Sequence, residues 1–130
     1  MATFRFHVRV PVPPDAVWEV LSDVEQIPQW FPGVEKAEFD GTHRILQLTG
    51  GQRLTARVIT SDPELRRFQY QFVDGFEVPV RMHLGTLDLL EDGTGTLVIY
   101  SQQIEPDELG EIIGPAVAGG TEGIRRLFGG

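Results

Sequence analysis

The chain has 130 residues, enough for one domain and too few for two, so a single domain spanning residues 1–130 is expected. Its formal charge of −8 is spread along the chain, and the basic residues do not cluster. Such a field repels nucleic acid and acidic membranes. The lack of Cys excludes disulfides, thiolate nucleophiles and Cys-based zinc sites.

Met1 to Val10 alternates apolar and polar residues, with Phe4, Phe6, Val8 and Val10 on one face and Arg5, His7 and Arg9 on the other. The alternation predicts a half-buried strand over Thr3–Val12, and no signal peptide is expected there. Pro13-Pro14-Asp15 stops the strand and starts a helix carrying Val17, Val20, Leu21 and Val24 at helical spacing. Glu25 to Phe31 reads as a second short helical turn ended by Pro32-Gly33. Short strands then follow one another: Val34–Phe39, His43–Leu48, Arg53–Thr60, Arg67–Val73, Val78–Leu90 and Thr96–Ile104. Asp-Gly and Gly-Gly turns between them suit tight antiparallel hairpins. Asp107 is placed to cap a final helix over Glu108–Phe128, whose Leu109, Ile112, Ile113, Ala116, Val117, Gly120, Ile124 and Leu127 form one stripe. No run reaches the ~18 apolar residues of a membrane span.

The segment Val17-Trp18-Glu19-Val20-Leu21-Ser22-Asp23-Val24-Glu25-Gln26-Ile27-Pro28-Gln29-Trp30-Phe31-Pro32-Gly33-Val34 resembles the START-like (helix-grip, SRPBCC) superfamily, in particular its polyketide cyclase/dehydrase and lipid-transport group. Gly85-Thr86-Leu87-Asp88-Leu89, followed by Asp92-Gly93-Thr94-Gly95-Thr96, is a second match. The resemblance implies an α+β helix-grip fold: a curved seven-stranded antiparallel sheet, two short helices after the first strand, and a long C-terminal helix. One feature departs from the family. The last helix contains Gly110, Gly114, Gly119, Gly120, Gly123 and Pro115. Together they cost on the order of 8 kcal/mol of helix propensity. Either packing offsets that cost or the helix breaks near Gly114-Pro115, with a hinged lid as the functional alternative to glycines that permit close packing.

The resemblance also implies that Leu87 faces inward, at a position where the family often has Trp. Period two then brings Gly85, His83 and Arg81 to the same face. The opposite phase makes Val80, Met82 and Leu84 the core and leaves Arg81 and His83 in solvent; both faces are apolar, so the strand leaves the choice open. The last strand poses the same question, with Tyr100 and Gln102 on one face and Ile99, Ser101 and Gln103 on the other. Tyr70 and Phe72 belong to an aromatic stripe with Phe68, and Ile113 and Val117 to the helix stripe. The candidate cavity set is therefore Arg81, His83, Leu87, Tyr100, Gln102, Tyr70, Phe72, Ile113 and Val117. Trp30-Phe31-Pro32 reads as a packing corner near the mouth of the cavity.

Three functions follow, in this order. The first is a carrier or binding domain for a hydrophobic small molecule such as a lipid, polyketide or quinone. The second is an aromatase/cyclase or dehydrase with His83 as acid or base, the candidate catalytic residue, and Arg81 and Tyr100 as electrostatic partners. The third is a protein–protein interaction module using Trp30-Phe31 and the last helix. No Gly-x-Ser-x-Gly elbow, dinucleotide loop, calcium loop or His pair is present, so no cofactor or metal is expected. A monomer or homodimer in the cytoplasm is expected, without nucleic-acid or integral membrane contact.

Overall fold

The computed structural model describes residues 1–130. The elements follow the expected order: β1 (Ala2–Val10), α1 (Pro14–Leu21), a 3₁₀ turn (Val24–Gln29), β2 (Val34–Phe39), β3 (His43–Leu48), β4 (Arg53–Asp62), β5 (Arg67–Asp74), β6 (Met82–Asp92), β7 (Gly95–Glu105) and α2 (Asp107–Phe128). The strands form one antiparallel sheet in the order β1-β7-β6-β5-β4-β3-β2. This is the helix-grip α+β architecture. Register shifts interrupt β4 on its pairing with β5, at Thr55/Ala56 and Val58/Thr60. Such bulges bend a strand and raise its twist. No helix is long and apolar enough to cross a membrane.

Several boundaries shift by one or two residues: the first strand ends at Val10, and the first helix ends at Leu21 with Val24 in the 3₁₀ turn. Two further differences bear on the site. β6 begins at Met82 rather than Val78, because Pro79 has no N–H to give a ladder and pairing with β7 starts at Met82–Glu105. Asp107 does not cap α2. Pro106 holds the cap position, and the Asp107 carboxylate pairs instead with the Met1 ammonium at 3.0 Å.

α2 runs unbroken through Gly114-Pro115. Its glycines explain how. A Cβ on Gly114 would meet the Phe4 ring at 2.7 Å, one on Gly110 the Ala2 Cβ at 2.7 Å, and one on Gly120 the Phe31 ring at 2.9 Å. At Gly123 a Cβ would run into the backbone carbonyl of Trp30. The buried glycines let the helix axis settle onto β1 and the Trp30-Phe31 corner, and packing offsets the lost propensity. Only Gly119 is free of this constraint, with Pro32 Cγ as its nearest neighbour at 3.9 Å. Trp30 is 3% exposed, packed edge-on against Tyr100 with ring centroids 6.1 Å apart.

Two substitutions separate these roles. Gly119→Ala is expected to raise the unfolding free energy by up to ~1 kcal/mol, because it restores propensity at no steric cost. Gly123→Ala is expected to lower it by about 3 kcal/mol or more, because the neighbour is backbone and has no rotamer to yield. Urea unfolding of both variants checks the contrast.

Candidate functional site

The inner face of the sheet follows from period-two alternation. On β5 it carries Phe68, Tyr70 and Phe72; on β6 His83, Gly85, Leu87 and Leu89; on β7 Val98, Tyr100, Gln102 and Ile104. The phase of β6 is thereby decided in favour of His83. Arg81 is not carried along. It precedes the strand, is exposed, and its amide donates to the Glu105 carbonyl at 2.9 Å.

A residue outside the candidate set dominates the opposite end of the sheet. On β3, Arg44 shares its face with Leu46 and Leu48 and is 3% exposed. Its cross-strand partner on β4 is Ala56, whose own partner on β5 is Phe72. A methyl group at position 56 leaves room for the arginine to lie across β4. The guanidinium carbon stands 3.6 Å from the centre of the Tyr70 ring and 5.9 Å from that of Phe72. This is a buried cation–π stack. Arg44 enters no ion pair, and its buried Nε has no hydrogen-bond partner.

Behind the Tyr70 ring runs a hydrogen-bonded chain. Tyr70 lies against Gly85, its partner on β6; a Cβ there would stand 2.5 Å from the phenol carbon Cζ, so glycine is required. The Phe72 amide donates to His83 Nδ1 at 3.0 Å, which fixes the proton on Nε2. That Nε2–H therefore donates to Gln102 Oε1 at 2.6 Å. The Gln102 amide nitrogen donates to the Tyr70 hydroxyl at 3.1 Å, and the Tyr70 and Tyr100 hydroxyls share a bond of 2.6 Å. Burial pushes the His83 pKa from 6.5 down to about 4; the bond to Gln102 pulls the other way, and the Arg44 charge adds to the fall. Burial also raises Tyr100 well above the ordinary phenol value, with Tyr70 adding to the rise and Arg44 opposing it. At neutral pH the chain is uncharged, and Arg44 is the one cation beside it.

A cavity of about 240 Å³ opens between α2, the inner face of β3–β5 and the Phe31-Pro32-Gly33 corner. Twelve of its 17 lining residues are hydrophobic, and Arg44 is the only charged one. Of the candidate set, Tyr70, Phe72, Ile113 and Val117 line it. His83, Leu87, Tyr100 and Gln102 are buried one layer behind its wall, and Arg81 is outside it. His83 is thus placed as a neutral link in a chain whose two ring nitrogens are both occupied, not as a group facing the cavity. Leu46, Leu54, Phe76 and Ala116 are among the other residues of the wall.

A family model described as polyketide cyclase/dehydrase and lipid transport matches residues 1–128. No curated protein sequence matches the chain. Among solved structures, the protein XoxI from Bacillus cereus superposes with a TM-score of 0.89 at 20% identity, covering 98% of this chain and 96% of that one. A START superfamily protein from Mycobacterium smegmatis gives 0.79 at 12% identity, covering 97% and 96%. The di-domain ARO/CYC BexL of the BE-7585A biosynthetic pathway gives 0.81 at 17% identity, covering 97% of this chain and 46% of that one. At these identities the likeness is one of fold.

The neutral state of His83 has a measurable consequence. The unfolded chain takes up this proton near pH 6.5 and the folded one only near 4. Stability is therefore whole above about pH 6.5 and falls as the pH drops through that window, by up to ~3 kcal/mol from this group. In ¹⁵N-resolved NMR, His83 is expected to stay in the Nε2–H tautomer at pH 6 and to titrate near 4. In a His83→Gln variant the urea midpoint is expected to depend less on pH between 7 and 5. Titration near 6.5 would contradict the buried placement.

Proposed function

Because the chain belongs to the polyketide cyclase/dehydrase and lipid-transport family, we propose that it binds a hydrophobic small molecule in the cavity between its sheet and α2. The observation that carries this reading is the cavity itself: about 240 Å³ of space with a mostly apolar lining, beneath a helix whose glycines let it pack closely on β1 and the Trp30-Phe31 corner. An apolar cavity of ~150 Å³ holds a benzene ring, so this one suits a ligand of about one to two fused rings. Its volume lies below the ~300–1,000 Å³ of most small-molecule pockets. That favours a compact ligand, or the end of a longer one protruding past Ala116 and Phe31.

Binding is favoured over acid–base catalysis by the same geometry. A general acid must reach the substrate, and His83 stands behind Tyr70 and Phe72 with both nitrogens engaged. The interaction-module reading has less support, since Trp30 is buried rather than displayed.

Methyl 2-naphthoate, a neutral bicyclic probe, is expected to shift the NMR resonances of Leu46, Leu54, Phe72 and Val117 and leave the outer face of the sheet unmoved. Ala116→Trp, at an exposed position on the cavity rim, is expected to weaken that binding at least ~10-fold while preserving the fold, on the scale of losing a well-packed apolar contact. Shifts scattered over the surface, or binding untouched by the plug, would sink the reading.

A further inference from the structure

The cavity's inner end holds a buried cation and no carboxylate among its lining residues to receive it. Arg44 presents a guanidinium whose charge meets no carboxylate. Next to it, the hydrogen-bonded chain can be counted proton by proton. The His83 proton goes to Gln102, and the Gln102 amide goes to the Tyr70 oxygen. Tyr70 and Tyr100 bring two hydroxyl protons, but a single bond joins them. One phenolic proton is therefore left over, whichever hydroxyl donates. When Tyr100 donates, the free proton is that of Tyr70, a residue of the cavity wall whose hydroxyl sits with Tyr100 and Gln102 behind it. A buried guanidinium with no carboxylate partner and an unpartnered Nε, at one end of an apolar space, defines what is missing there: an oxygen carrying negative charge.

We propose that this end of the cavity is an acid-binding subsite, in which Arg44, stacked on Tyr70, receives the carboxylate or enolate oxygen of a compact, otherwise apolar ligand. The proposal rests on the cavity-binding reading and adds to it the ligand's chemical class and orientation, polar end inward beneath Tyr70 and apolar end toward the helix. Each protein element has a stated part. Arg44 supplies the charge, and Ala56 gives it passage across β4. Gly85 lets Tyr70 lie flat, and Gln102, oriented by His83, fixes the Tyr70 hydroxyl. His83, Gln102 and Tyr100 are positioning residues, since none of them lines the cavity.

The experiment compares 2-naphthoate with methyl 2-naphthoate by titration calorimetry at pH 7, on the wild type and on Arg44→Met. The wild type is expected to bind the acid on the order of 30-fold more tightly than the ester, the scale of one charge-assisted pair. Arg44→Met is expected to lose that preference while changing ester affinity less than ~3-fold, and its empty form is expected to melt at the same temperature or higher, because an unpaired buried charge has been removed. Tyr100→Phe is expected to weaken the acid several-fold and spare the ester. The wild-type ratio alone keeps the test decisive even if a variant fails to fold. Acid and ester bound equally by the wild type would overturn the subsite and leave the cavity reading standing. Neither compound bound would overturn both.

Discussion

A guanidinium that is 3% exposed and paired with no carboxylate is the constraint around which this interior is arranged. Taking an ion out of water is costly even after the surroundings relax. Stacking on the Tyr70 face at 3.6 Å offsets only part of that, on the order of 2 kcal/mol for a desolvated cation–π contact. The arrangement persists because neighbouring residues leave Arg44 nowhere else to go. Ala56 keeps the path across β4 open, Leu46 and Leu54 wall it in, and Gly85 sets the Tyr70 ring at the height the guanidinium needs. A well-packed apolar side chain at position 44 would serve stability better.

The cavity and the charge have different origins in the fold. α2 is drawn down onto β1 by Gly110 and Gly114 and onto the Trp30-Phe31 corner by Gly120 and Gly123. Larger residues there would lift the helix and open the interior to water. On the side facing β3–β5 the helix presents Ile113 and Val117, and between these and the bulged β4 the packing does not close. Close approach along one edge thus leaves a defined gap along the other. The glycines that weaken the helix as a helix are what make it a fitted cover.

Much of this was legible in the sequence, and the failures share a cause. Strand limits were marked locally by Gly41, Gly50-Gly51 and Gly93, all of which take the positive φ their turns require. The phase of β6 was not marked locally, because Met82 and Leu84 are as apolar as Leu87 and Leu89; pairing with β5 and β7 decides it. A two-residue period that brings His83 inward would bring Arg81 inward too, but it does not extend past Met82, where pairing begins. Arg44 carried a readable signal, since period two places it with Leu46 and Leu48. What the strand does not reveal is that an arginine there is accommodated, which depends on Ala56, twelve residues on. The glycine partners Phe4 and Trp30 lie further still from α2 along the chain. Local chemistry announced the elements, whereas the site arises from contacts between them.

The neutrality of the chain behind Tyr70 matters as much as the charge in front of it. A protonated His83 would set a second cation near Arg44 and raise the cost of both. Burial prevents this by holding the imidazole pKa near 4, and the high phenol pKa of Tyr100 prevents a phenolate from neutralising the guanidinium from within. The interior therefore carries one positive charge over the ordinary pH range, with no internal partner to compete for it. The outer surface has the opposite character, with a formal charge of −8 over the whole chain. At long range that field repels acids, and at the mouth apolar contact is what admits a ligand. An acid proposed to reach Arg44 must first bring enough apolar surface to enter, and an apolar molecule without an acidic end leaves the guanidinium unanswered. Under the proposed acid subsite, selection for both properties in one compact molecule would follow from a lone cation at the inner end of an apolar cavity within an acidic protein.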